Sequence, residues 1–269
     1  MAIITISRGS YSRGAEVAEK VAKKLGYDRI SREILLDASE MFNIPETKLI
    51  RAINDAPSIL DRFNNGKEMY VSYIQAALLK CLRGDNMVYH GLAGHFFVKD
   101  VRHALKVRII ADTKDRVRLE MEREKISEEK AAKILKKDDE QRRKWSLFLY
   151  GIDTWDSSSY DLVIHIKNIT TDDATDIICH TASLEHFKTT AESQKRIEDL
   201  ALAAEVRAAL FDLCPYVETT ANNGVVDIVA KVHEYQRVNI SSELKRRAES
   251  INGVKGIKMT ILPITVYTD

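Results

Sequence analysis

The stretch Ser7-Arg8-Gly9-Ser10-Tyr11-Ser12-Arg13-Gly14 carries residue types that can hold a phosphate. Its glycines let an anion approach the backbone, its serines offer hydroxyls, and Arg13 is the nearest cation. Successive N–H groups of such a loop and the positive end of a following helix converge on one point and favour negative charge there. The spacing Gly9-x-x-x-x-Gly14 is that of the first part of a Walker A loop. Where that motif continues with a lysine and a hydroxyl, the chain has Ala15 and Glu16. The consensus lysine holds the outer phosphates and the hydroxyl holds Mg²⁺. Arg13 is therefore the candidate to replace the lysine charge, and Glu16 the candidate metal ligand. Gly9, Ser10, Tyr11, Ser12, Arg13, Gly14, Ala15 and Glu16 together form the candidate cradle. The competing reading is a tight turn with a solvated Arg13 and a Glu16 that only stabilises the helix dipole.

These residues need a strand before them and a helix after. Ala2 to Ile6 is an apolar run. Val17, Val21 and Leu25 recur at helical spacing with charges between them, and Gly26 suits the position past a helix end. Tyr27 to Ile30 predicts a short edge strand, and helices are expected from Ser31 and from Ile44-Pro45. Residues 67–82 carry a helical apolar stripe. Met87 to His90, Leu105 to Ala111 and Tyr160 to Ile166 read as strands, with charged helices over 115–143 broken near Ser127, and with Thr171 capping one more. Strands alternating with helices predict a parallel sheet covered on both faces, with ligands beyond the strands' carboxyl ends. Thr190 to Gln194 is polar and reads as a linker. Beyond it a helix, two strands joined by Asn223-Gly224, another helix and a last strand make a small αββαβ domain. The expected domains are 1–189 and 190–269.

The chain has 269 residues, 30% of them charged, with a net charge of +1. That balance argues against general nucleic-acid binding, which needs surplus basic charge. No apolar run approaches the ~20 residues of a membrane span, and the start lacks the pattern of a secretory signal. Cys81, Cys179 and Cys214 are far apart and odd in number. Reduced thiols and a cytoplasmic location are expected.

The order of these pieces resembles the cytidylate kinase-like branch of the P-loop nucleoside monophosphate kinases. The resemblance rests on Ile4 to Gly14, Leu25-Gly26-Tyr27, Val88 to His95, Lys106 to Ala111 with Asp115-Arg116, Lys137 to Arg142, and Tyr160 to His165. It implies a P-loop kinase-like three-layer fold with a parallel sheet and a helical lid. It also implies ATP and Mg²⁺ as cofactors and a small-molecule nucleotide as ligand. In the lid, Arg142 and Arg143 become candidate catalytic cations beside Arg13. Arg32, Arg62, His90 and Gly91 become candidate acceptor-binding residues. Two departures stand out: the Walker lysine is lost, and His90-Gly91-Leu92-Ala93 stands where cytidylate kinases have Asp-Gly-Arg-Asp. The expected activity is phosphoryl transfer from ATP to a nucleotide or other small acceptor. The alternative is an inactive nucleotide-binding regulator. The C-terminal domain resembles a BON-like module, on Asn223 to Val226 and Asn252 to Ile257, which implies a protein or ligand partner.

Overall fold

Branched apolar residues at Ile3, Ile4 and Ile6 place a strand at the chain's first described residues, and the rest of the first unit is built around it. The computed structural model describes residues 2–9, 12–31, 38, 66–91, 94–233 and 237–264. In chain order these carry β1 (Ile3–Arg8), α1 (Gly14–Leu25), β2 (Asp28–Ile30), α2 (Gly66–Leu82), β3 (Met87–His90), the one-turn α3 (Gly94–Phe97), β4 (Ala104–Ala111), α4 (Thr113–Glu124) and α5 (Glu128–Tyr150). Then come β5 (Leu162–Ile166), α6 (Thr171–Ser183), α7 (Ala191–Leu210), β6 (Val217–Asn222), β7 (Val225–Val232), α8 (Arg237–Glu249) and β8 (Gly256–Pro263). The helices expected from Ser31 and Ile44 lie outside the described residues.

The chain forms two compact units, Met1–Glu33 with Gly84–Ser193, and Ile34–Arg83 with Gln194–Asp269. The second of these units includes the stretch Ile34–Arg83. Its helix α2 buries Ile74, Ala77, Leu78 and Leu82, and also Tyr73, Ala76 and Leu79, so apolar contact surrounds it on several sides.

In the first unit a five-stranded sheet runs in the order β2-β3-β1-β4-β5, and every neighbouring pair is parallel. Alternation splits its residues between two faces. Ile4, Ile6, Val88, Leu105, Val107, Ile109, Ile164 and Ile166 share a core with Val17 and Val21 of α1 and Ala174 and Ile178 of α6. Each such aliphatic side chain contributes about 1.5–3 kcal/mol relative to exposure. Thr5, Ser7, Tyr89, Lys106 and Arg108 fall on the opposite face, between Ile3 and Ala104 at one end and Ile110 at the other, so the middle of that face is polar although Thr5, Ser7, Tyr89 and Arg108 are buried. α4 and α5 pack as a hairpin on Val117, Ala131 and Leu135. Ser127 starts α5 by accepting a hydrogen bond from the Lys130 amide, as its position predicts.

In the second unit β6 and β7 are antiparallel, β7 and β8 parallel, and α7 and α8 cover one face of the sheet. The turn is Asn223-Gly224, both at positive φ, which suits a tight hairpin. Two boundaries differ from expectation. Thr190 to Gln194 is not a linker: the Thr190 and Ser193 hydroxyls each accept the other's amide, and the stretch opens α7. Short hydroxyl side chains serve loops and helix caps equally well, which is why their polarity misleads. The cap of α6 is Thr170, in a reciprocal box with Asp173, one residue before Thr171. No helix among the described residues is long and apolar enough to cross a membrane.

Candidate functional site

β1 ends at Arg8 and α1 begins at Gly14, so the glycine loop sits at the carboxyl end of the sheet's central strand. The loop is pinned to β4. The Gly9 amide donates to the Ile109 carbonyl at 3.3 Å, and the buried Ser12 hydroxyl donates to the same carbonyl at 2.9 Å. Ser12 Oγ also lies 3.0 Å from the Gly9 carbonyl oxygen. Arg13 is the N-cap of α1, in the left-handed region at φ 61, and its side chain makes no capping bond. The first amides of a 12-residue helix are thus left without a side-chain cap, which is the arrangement that receives an anion. Arg13 itself is exposed beside them. The Arg116 guanidinium of α4 lies 3.8 Å from the point where a side chain at Gly9 would begin.

Glu16, in the first turn of α1, accepts from the Thr171 hydroxyl at 2.8 Å and pairs with Lys20 at 3.1 Å, both through Oε1. Burial pushes its carboxyl up, and those two partners more than offset this, so it stays below the usual glutamate range. Lys20 also reaches Asp172, so this network fastens α1 to α6. Glu16 Oε2 makes no hydrogen bond among the described residues. A Mg²⁺ ion needs one or two carboxylate oxygens besides phosphates and waters, and Glu16 Oε2 is of the right chemistry. Among the described residues no group of three or more His, Cys, Asp and Glu side chains could hold a metal alone.

Ser10, Tyr11, Arg32 and Arg62 lie outside the described residues. His90 ends β3 beside Ile6 and shares its face of the sheet. Gly91 and Gly94 have a local reason to be glycine. A Cβ on either would overlap the ring of Tyr89, which is only 4% exposed and has no room to swing away. Arg143 lies on α5 and grips Asp153 with Nε at 3.0 Å and Nη2 at 2.6 Å from Oδ2, while its guanidinium stacks 4.8 Å over the exposed Trp155 ring. Asp139 of the same helix takes Arg116 at 2.7 Å. Arg142 is three residues further on, hence near the same face of α5. Arg116, held by Asp139 of α5, therefore lies near Gly9, while Arg143 is linked to the loop that follows α5.

Sequence reasoning passed over the polar face of the sheet. Arg108 is opposite Ser7 in the β1–β4 register and 8% exposed. Its Nη1 donates to the Thr154 carbonyl and to the Tyr160 hydroxyl, the latter at 3.2 Å. That hydroxyl lies 3.0 Å from the Thr154 carbonyl oxygen and 3.3 Å from Ser7 Oγ. The His95 ring packs against Tyr160 with centroids 4.6 Å apart. Burial first, and the charges of Arg108 and Lys106 second, hold the imidazole at about 3, well below its ordinary value. One signal was available: Val107-Arg108-Ile109 places a charge inside an apolar strand.

A family model described as the cytidylate kinase-like family matches residues 3–168. Among curated proteins no relative matches the chain. The solved structure of an uncharacterized protein from Eubacterium ventriosum is 23% identical, with a TM-score of 0.53, and the alignment covers 67% of this chain and 97% of that one. At that identity the likeness is one of fold. A shikimate kinase from Bacteroides thetaiotaomicron is 10% identical, with a TM-score of 0.42, covering 68% of this chain and 99% of that one.

Proposed function

Because this chain belongs to the cytidylate kinase-like family, we propose that it is a cytoplasmic phosphotransferase that moves a phosphoryl group from ATP to a nucleotide or other small acceptor. The observation that carries this is the uncapped start of α1, set behind a glycine loop at the carboxyl end of the central parallel strand. Phosphoryl transfer needs positioned phosphates and surrounding cations more than covalent help. In this reading the amides of Gly14, Ala15 and Glu16, which open α1, form the core of the Gly9–Glu16 cradle, since that of Gly9 is held by the Ile109 carbonyl and that of Ser12 by the Gly9 carbonyl. Arg13 supplies a charge next to it, as a planar fork and not as the point charge of a lysine. Arg116, held by Asp139, is a second cation at the loop. Arg142 and Arg143 on α5 are the further cations of this reading. Glu16 would hold Mg²⁺, which would supply positive charge to the phosphates when bound. In the reaction the bond from the γ-phosphorus to its bridging oxygen breaks, one to an acceptor oxygen forms, and ADP leaves. His90, Gly91, Arg32 and Arg62 are the proposed acceptor-side residues, and the C-terminal αββαβ domain, read as BON-like, is the proposed partner-binding part.

The test is ADP production by the purified chain with ATP, Mg²⁺ and a panel of nucleoside monophosphates. Acceptor-dependent ADP is expected, reduced far more in rate than in ATP affinity by Arg13→Ala. Turnover that Arg13→Ala leaves unchanged would refute the role of Arg13. The engagement of Glu16 Oε1 by Lys20 and Thr171 favours a second reading, a nucleotide-binding regulator without turnover. It predicts saturable ATP binding by calorimetry with no ADP formed under any acceptor.

A further inference from the structure

We propose that Arg108 anchors an oxyanion-binding subsite on the polar face of the sheet, beside the phosphate loop, and that this subsite takes the anionic group of the acceptor. Its role as an acceptor site rests on the phosphotransferase reading, while the anion site stands on the geometry of this cluster.

Arg108 is a buried guanidinium without a carboxylate. Among the described residues its hydrogen bonds are those of Nη1 to Thr154 and Tyr160, and Nε and Nη2 make none. The neighbouring cations are satisfied differently: Lys106 has Asp161 at 3.3 Å, Arg116 has Asp139 at 2.7 Å and Arg143 has Asp153 at 2.6 Å. Asp153 does feel the charge of Arg108, but its carboxylate is already gripped by Arg143. Burying a charge without a counterion is costly, and the cost is removed when an anion arrives.

The free edge of the guanidinium is the one suited to an oxyanion. Nε and Nη2 present two parallel donors that match two oxygens of a carboxylate or phosphate. The Thr154 carbonyl and Tyr160 hydroxyl hold Nη1 and so fix the plane of this fork. Other unpartnered polar atoms belong to the same face. His95 Nε2 is sealed from solvent without a hydrogen-bond partner among the described residues, in a ring packed on Tyr160. Thr5 Oγ1, two residues before Ser7 on the same face of β1, is likewise unpartnered. A neutral imidazole can donate to an oxyanion without adding charge. The position is also suitable. Arg108 pairs with Ser7 in register, and the carbonyl of the next residue, Ile109, anchors Gly9 and Ser12 of the loop.

The two sources of such a group are a phosphate monoester and a carboxylate. Calorimetry on the full chain separates them, with AMP and CMP in one arm and small hydroxycarboxylates such as shikimate in the other. The matching nucleosides serve as controls, and ATP is titrated separately. The expected result is saturable binding in one arm that weakens at least tenfold in Arg108→Met while ATP binding persists. Arg108→Met is expected to melt no lower than the parent without ligand, because replacing an unpaired buried charge by an apolar side chain of similar length is neutral or stabilising. Arg108→Lys keeps the charge without the fork and is expected to bind with intermediate affinity. Unchanged anion affinity in both variants, or no anion binding in either arm, overturns the proposal. If the anion binds through Arg108 but ATP does not bind and no ADP forms, the subsite stands and the phosphotransferase reading fails.

Discussion

Replacing Gly94 by alanine tests why the turn after β3 is rich in glycine. An added Cβ would overlap Cδ1 and Cε1 of the Tyr89 ring and come within 3.4 Å of its Cγ. Tyr89 is 4% exposed, so the ring cannot swing into solvent, and either the ring or the first turn of α3 must shift. Forcing one extra carbon into a packed site costs about 1–3 kcal/mol. At roughly 2–4 °C per kcal/mol for a domain of this size, the melting temperature should fall by a few degrees to about 10 °C. The assay is urea and thermal unfolding of Gly94→Ala, Tyr89→Leu and the double variant. Tyr89→Leu is destabilising by itself, but adding Gly94→Ala to it should cost little, a coupling of at least about 1 kcal/mol. Gly91 gives an independent check, since a Cβ there meets the Tyr89 hydroxyl and Cζ first. Tyr89→Phe should therefore recover part of the Gly91→Ala penalty and less of the Gly94→Ala penalty. A Gly94→Ala protein as stable as the parent, or an equal penalty with and without the Tyr89 ring, would refute the packing explanation.

Other consequences follow from the same geometry. His95 titrates at about 3 in the folded chain against an ordinary value of 6.5, so as pH falls the unfolded chain takes the proton first. The contribution of His95 is then complete above about pH 6.5 and declines toward about pH 3, by about 2 kcal/mol at pH 5, and His95→Phe should make the urea midpoint fall less between pH 7 and 5, the buried His103, also held below its ordinary value, keeping part of the fall. Arg13 pays a left-handed backbone at φ 61, so Arg13→Gly should stabilise the fold by up to about 1 kcal/mol while lowering turnover as Arg13→Ala does; a destabilised Arg13→Gly protein would contradict the first part. Thr170→Ala removes the reciprocal cap of α6 and should cost about 1 kcal/mol in chemical unfolding, against almost nothing for a substitution at exposed Glu185.

Much of the fold was legible because periodicity reports burial. The apolar run at Ile3 to Ile6, the 3.6-residue spacing of Val17, Val21 and Leu25, and Asn223-Gly224 between two β-rich runs each became the expected element. What local signals could not supply was partnership across long separations. Ser12 finds its anchor 97 residues away at Ile109, and Glu16 finds Thr171 at a separation of 155. No spacing rule connects such positions. The close approach of the Tyr89 ring to Gly91 and Gly94 is likewise a contact that no local pattern announces. Thr190 and Ser193 read as linker because a hydroxyl that caps a helix has the same polarity as one in a loop. Arg108 was the missed signal with a physical basis: one charge between valine and isoleucine in a buried strand requires a partner, and the strand itself supplies none.

Phosphoryl transfer by this chain is best tested by following the phosphoryl group itself. The full chain, in excess over ATP labelled at the γ-phosphate, is mixed with Mg²⁺ and the nucleoside monophosphate panel, quenched at intervals, and its products separated. Label in one acceptor with matching ADP is expected, its appearance slowed by Arg13→Ala. Label that stays in ATP, or appears as inorganic phosphate alone, would contradict it.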